Sequence, residues 1–357
     1  MSYVSPLELG GSALKMGARF AWYVAQSSRL RRVSKAAERS FPDSAFNMTP
    51  PTSPAPTQQD HLTAIAELLR RDLANVRAGY YALPEDEPGG LTGLLRRTEA
   101  AIKDAPEVTR RRMTGAHQEV FADENKGTRP RYYLQNFHFQ SDGWLSDESA
   151  EIYDAQVELL FRGSAASMRR QALRSIAEFL HGKDQRKLKF ADVACGSGAF
   201  LRDLAASFPR LSTIGFDLSE PYLERARDTV GDRGRVEFSV ADAEDLPLET
   251  ASLDGASIIY LFHELPKKVR RSVAREMARV IKPGGRLFFV DSIQFGDTPK
   301  FDALLEIFPQ LFHEPYYLDY CRDDLSGLFE EAGFHPVSLS TAYVSRVMVL
   351  ERSESVQ

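Results

Sequence analysis

Two cysteines among 357 residues, Cys195 and Cys321, are too few for a disulfide framework or, by themselves, a zinc site. Such sparing use suits a reducing compartment. No apolar run approaches the roughly 20 residues that a bilayer-spanning helix needs. No apolar core with a cleavage site follows the N-terminus, so a secretory signal is not expected and a cytoplasmic protein is. Surplus charge is missing too: 45 Lys and Arg stand against 50 Asp and Glu. That balance gives no support to non-specific nucleic-acid binding. What remains is an ordinary globular chain, long enough for one large domain or two smaller ones.

Against that background the segment KLKFADVACGSGAFL, Lys187 to Leu201, stands out. An apolar run ends at Asp192, a tight turn follows around Gly196 and Gly198, and a helical pattern starts at Ala199. Glycine is wanted where backbone passes close to a ligand or takes positive φ. A strand that delivers such a turn to a helix N-terminus suits a nucleotide cofactor. LSTIGFDLSE supplies a second apolar strand ending in Asp217, about 20 positions on, where a carboxylate can accept ribose hydroxyls. VEFSVADAEDLP adds a third strand ending at Asp242, LDGASIIYLFHELP a fourth ending near Tyr260, and RVIKPGGRLFFVDS a fifth.

This order resembles the class I S-adenosylmethionine-dependent methyltransferases from about Ala172 to Leu350. The family's first motif, acidic-x-Gly-x-Gly-x-Gly, reads here Asp192-Val-Ala194-Cys-Gly196-Ser-Gly198, with Ala194 in place of the first glycine. A dinucleotide-binding dehydrogenase would want Gly or Ala where Leu201 stands. The ending GFHPVSLSTAYVSRVMVLER reads as two strands and looks like the antiparallel hairpin that closes methyltransferase sheets. The resemblance therefore implies an α/β fold, a doubly wound Rossmann-like sheet of seven strands closed by that hairpin, with a helical N-terminal region added. It implies S-adenosylmethionine as cofactor. Backbone at Ala194, Gly196 and Gly198 would line its methionine portion and Asp192 would meet the cationic amino end. Asp217 would hold the ribose, with Leu218 on the adenine face. Asp242 and Ala243 would meet the adenine ring, and Tyr260 would sit near the sulfonium.

The organisation along the chain follows from composition together with what the resemblance implies. Residues 1–40 read as a basic amphipathic helical segment, 41–59 as a Pro-rich linker, 60–165 as a helical module with an aromatic lid, and 166–357 as the methyltransferase domain. In the first segment Lys15, Arg19, Gln26 and Arg29 share one stripe beside Met16, Phe20, Tyr23 and Val24. Such a helix suits peripheral contact with an anionic membrane surface, or packing on its own protein.

Methyl transfer from a sulfonium is an in-line displacement, so the enzyme chiefly aligns two reactants in a dry cleft, and no metal is required. His263 follows the fourth strand and is the leading general-base candidate, with Tyr260 beside it. The stretch from Arg131 to Phe161 is rich in aromatic and polar residues. By analogy with lipophile-modifying relatives, Tyr132, Tyr133, His138, Trp144 and Tyr153 are lid candidates. After the fifth strand comes a second aromatic segment, in which Phe295, Tyr316, Tyr317 and Tyr320 are substrate candidates. The Asn/Asp-Pro-Pro-aromatic signature of amino-methylating nucleic-acid enzymes is absent after the fourth strand, where Tyr-Leu-Phe-His-Glu-Leu-Pro stands. The expected acceptor is a small lipophilic or aromatic molecule methylated at carbon or oxygen, as in quinone and sterol metabolism. A protein methyltransferase and a non-catalytic cofactor-binding scaffold are the alternatives. Composition carries no information on oligomeric state.

Overall fold

The computed structural model describes residues 5–85, 88–122, 125, 127 and 129–354. The first four residues of the expected basic segment, and the last three of the expected methyltransferase domain, lie outside them. Among the described residues no helix is long and apolar enough to cross a membrane.

A seven-stranded sheet occupies the C-terminal half. Its strands are β1 (Lys189–Val193), β2 (Ser212–Asp217), β3 (Arg235–Val240), β4 (Leu253–Ile259), β5 (Ile281–Ser292), β6 (Phe334–Ala342) and β7 (Ser345–Arg352). They lie in the order β3-β2-β1-β4-β5-β7-β6. The first five pair in parallel, and β7 runs antiparallel between β5 and β6. The expected closing hairpin is therefore present. Phe288 and Phe289 on β5 are both fully buried because helices cover the two faces. Chain order reverses between β1 and β4, and at such a switch point the strand ends part to leave a crevice.

Helices precede the sheet: α1 (Pro6–Glu38), α2 (Gln58–Arg77), α3 (Gly90–Thr114), α4 (Asp147–Leu160), α5 (Ala165–Arg169) and α6 (Gln171–Leu180). Those woven into the sheet are α7 (Ala199–Ser207), α8 (Glu220–Val230), α9 (Lys267–Val280), α10 (Asp302–Leu311), α11 (Tyr317–Arg322) and α12 (Leu325–Glu331). The helix starts carry their own signals. Ser5 and Thr57 make capping boxes with Glu8 and Asp60, and Ser146 caps α4 by accepting from the Ser149 N–H at 3.1 Å.

The helical cover is joined to the sheet in two ways. Leu68 and Val76 of α2 and Met168 of α5 enter the same apolar cluster as Phe190 and Phe288. Arg170 then bridges Asp72 of α2, at 2.5 Å, and Asp203 of α7, at 3.1 Å, with all three side chains buried. The second half of α1 packs on its own protein: Tyr23 is fully buried against α3 and α4, and the Ser27 hydroxyl donates to the Leu159 carbonyl. The Pro-rich stretch before α2 is extended and docked on α10, where Glu306 accepts from the Thr52 N–H and hydroxyl.

Candidate functional site

A cavity of about 1090 Å³, its mouth included, opens at the carboxyl ends of β1, β2 and β4. Of the residues expected from the sequence, Asp192, Ala194, Gly196, Asp217, Leu218, Asp242, Ala243 and Tyr260 line it from the sheet side. Tyr132, Tyr133, Trp144 and Tyr153 line it from the cover.

At the sheet end, Asp217 accepts the Gly196 N–H at 2.8 Å and the Ser219 N–H at 2.9 Å. These bonds hold the turn after β1 against the end of β2. Burial pushes the Asp217 carboxyl above its ordinary range, partly offset by those bonds. Asp192 is buried, with Oδ1 accepting from the Ser257 hydroxyl at 2.6 Å and Oδ2 left without any protein partner. Burial, aided by nearby Asp217 and opposed by Ser257, raises its pKa to about 7. A buried carboxylate oxygen with no donor is costly unless a cation or donor meets it. Gly196 has φ 54° and nothing within 4 Å of the place its Cβ would occupy, so the turn leaves open space there.

One expectation at this end is corrected. Gly198 does not line the cavity. It caps α7 at φ 78°, and a Cβ there would stand 2.9 Å from the Ala226 Cα, so its role is the close approach of α7 to α8. Ala194 sits at φ 57°, a conformation glycine would take without strain.

The far end is built by the cover. Trp144 packs edge-on against Tyr153 and Tyr222, and its carbonyl accepts from the Ser219 hydroxyl at 2.6 Å. These aromatic rings are thus tied to the residue that caps α8. Tyr260, at φ 59°, presents its ring to the cavity, but its hydroxyl is engaged by the Ser345 hydroxyl at 2.6 Å. Burial raises that phenol well above its usual range, which leaves it ill placed to trade protons.

His263 is not a wall residue; its neighbour Glu264 is. Nδ1 of His263 lies 2.6 Å from Asp291 Oδ1, and Nε2 faces Glu264 at 3.9 Å. Burial lowers the His263 pKa, but Asp291, Glu314 and Glu264 together outweigh it and raise the value to about 10. The same burial holds the Glu264 carboxyl well above its usual range. His138 is also off the wall, 2.5 Å from Glu314. Phe295, Tyr316, Tyr317 and Tyr320 do not reach the cavity either. Tyr317 and Tyr320 hydrogen-bond through their hydroxyls to Ser292 at the end of β5, and their rings flank His263. Tyr316 accepts from Gln135 at 3.3 Å, and Phe295 lies under the Arg322 guanidinium.

Sequence reasoning passed over Asp154, Arg169, Ser197 and Tyr222, which also line the cavity. Ser197 donates to Asp154 at 2.7 Å, joining the glycine turn to α4. No local signal marks Asp154 or Arg169, since each lies within an ordinary helical pattern; Ser197 was legible as part of the glycine turn.

Residues 190–285 match the family described as a methyltransferase domain. The ubiquinone/menaquinone biosynthesis C-methyltransferase of Geotalea daltonii is 30% identical over 191 residues, which cover 52% of this chain and 74% of that protein. An O-methyltransferase of Penicillium expansum is 34% identical over 153 residues, 42% of this chain and 52% of that one. One from Pyrenophora dematioidea is 34% identical over 146 residues, 40% and 52%. The chain thus spans about half the length of those two O-methyltransferases.

Proposed function

We propose that this chain, which belongs to the class I S-adenosylmethionine-dependent methyltransferases, methylates a small lipophilic or aromatic acceptor at carbon or oxygen. The observation that carries the reading is one cavity running from the unpartnered Asp192 oxygen and the open Gly196 turn to an aromatic lid. The residues present fit the cofactor. Asp192 offers a buried anion for its ammonium. Asp217 is already oriented by two backbone donors and keeps lone pairs for the ribose, while Asp242 and Ala243 stand where the adenine would lie. Bound there, S-adenosylmethionine supplies a methyl group already carrying its leaving group.

The protein's own part is alignment and the exclusion of water. Tyr133, Trp144 and Tyr153 close the cavity and offer apolar faces to an apolar acceptor. Glu264 reaches the cavity, with His263 behind it on Asp291, so an acceptor's ionisable group would be received at that end. The names of the quinone and O-methyltransferase relatives support a small-molecule acceptor for this chain.

A cytoplasmic protein with peripheral membrane contact through α1 fits such an acceptor, which partitions into lipid. Leu7 and Leu14 are 86% and 78% exposed on the first half of α1, ahead of the part that packs internally. If deleting residues 1–39 leaves liposome association unchanged, the membrane contact is lost as an idea.

The decisive experiment compares lipid extracts from cells with and without the gene by mass spectrometry. A species heavier by one methylene supports the reading, and a difference confined to water-soluble metabolites overturns it. Labelled cofactor incubated with cell extract separates the alternatives. Label in precipitated protein would mean a protein substrate, and no label at all would mean a scaffold.

A further inference from the structure

Behind the lid, four side chains from three separate segments turn their ligating atoms toward one point. His138 comes from the turn before α4, His263 and Glu264 from the turn after β4, and Glu314 from the loop after α10. One ligating atom of each lies within 4.8 Å of all the others. We propose that this cluster is a binding site for a divalent first-row transition cation.

The donor set is two imidazoles and two carboxylates, which suits zinc, iron(II) or manganese(II) rather than magnesium or calcium. Three further observations point to a ligand. Glu314 is fully buried in its side chain, with His138 Nε2 2.5 Å from Oε1, and among the described residues nothing hydrogen-bonds to Oε2. A buried carboxylate in that state calls for a cation. His263 has its Nδ1 engaged by Asp291, which turns Nε2 toward the cluster. This carboxylate–imidazole arrangement orients a metal-ligating histidine and strengthens it as a donor. His138 and Phe139 both take φ 56°, and a residue other than glycine persists there only where its surroundings enforce it.

Methyl transfer needs no metal, so the cation's use is a separate matter from its binding. Glu264 is the one ligand that also lines the cavity. With four protein ligands tetrahedral zinc would be closed, whereas a cation that accepts five or six donors, such as iron(II) or manganese(II), would keep a position for the acceptor. It would hold an acceptor hydroxyl as its anion, the displaced proton going to solvent with no redox change. This use, unlike the binding itself, rests on the methyltransferase reading.

The test uses the full chain, stripped with a chelator and titrated with Zn²⁺, with metal content read by mass spectrometry. One equivalent is expected, lost in Glu314→Gln and in His138→Ala. In Asp291→Asn binding should weaken about 10–100-fold, the range for removing such a supporting carboxylate. Co²⁺ in place of Zn²⁺ should give visible d–d absorption that disappears in the same variants. S-adenosylhomocysteine affinity, measured in parallel, should stay unchanged and certifies that each variant is folded. If wild type binds none of Zn²⁺, Mn²⁺ or Fe²⁺, or if both ligand variants still bind one equivalent, the site is refuted. Metal bound without any methylated product would instead sink the functional reading and leave the site standing.

Discussion

The two ends of the cavity are built in opposite ways. At the sheet end the lining groups are the tips of adjacent parallel strands. Asp192 and Asp217 end neighbouring strands in register, Asp192 opposite Gly215 and Phe216 opposite Val193. At the other end Glu264 and Tyr153 on the wall, with Glu314 and His138 behind it, come from a turn, a loop and two parts of the cover, linked only by tertiary packing. A strand-tip site is positioned by backbone hydrogen bonds, whereas an assembled site is only as rigid as the contacts that hold its pieces.

The sharpest way to break the comparison is to loosen the cover. Arg170→Met removes the cation that joins buried Asp72 to Asp203, leaving Asp72 without its cationic partner while Asp203 keeps Arg202. A stability loss of about 3–5 kcal/mol is expected, the range for breaking a buried pair, and denaturant unfolding would measure it. A loss below about 1 kcal/mol, the level of a surface pair, would show that the cover is held by apolar contacts alone.

Next comes the cofactor end by itself. Asp217→Ala should lower S-adenosylhomocysteine affinity by about 1.5–3 kcal/mol, the scale of hydrogen bonds to a charged group. Calorimetry that found unchanged affinity would mean Asp217 serves only to hold the turn.

A smaller, pH-dependent effect is expected at Asp192. Its pKa in the folded protein is raised from 3.8 to about 7. The folded state therefore holds a proton that the unfolded chain has released between those values. The contribution of Asp192 to stability is then fully present below about pH 4 and is lost as pH rises through 7. Cofactor binding runs the other way, because the ammonium wants the ionised form. Affinity should climb by up to about tenfold per pH unit below 7 and level off above it. Asp192→Asn should abolish that slope, and a slope that survived in the variant would place the titrating group elsewhere.

The least effect belongs to the phenol shared by both ends. Tyr260→Phe removes the bond to Ser345 and should cost about 1 kcal/mol of stability, near the mean for one hydrogen bond. Turnover should be unchanged. A fall in kcat with intact cofactor affinity would restore Tyr260 as a catalytic group.

How much of this was legible in the sequence differs by region for the same reason. The strands of the sheet were readable because apolar runs ending in Asp192, Asp217 and Asp242 are local patterns. The helix caps at Ser146 and the glycine turn were local as well. Gly198 was found but given the wrong task, since the approach of α8 that it permits involves Ala226, 28 positions away. The aromatic segment after β5 was noticed for its composition. Composition did not reveal that the Tyr317 and Tyr320 hydroxyls turn back to Ser292 and leave the cavity. Glu314 carried no signal at all; it is an acidic residue in a loop, and only its burial beside His138 makes it notable.

By itself, the sequence determined the order of strands, the glycine turn and the carboxylates near the strand ends that line the cavity. These depend on residue type within a few positions and on hydrogen bonds between adjacent strands. Tertiary structure alone decided which of the aromatic and titratable residues meet at the acceptor end. Their burial and charge depend on segments more than a hundred residues apart. It also decided that His263 stands behind Glu264, because Asp291 on β5 draws its ring away from the cavity.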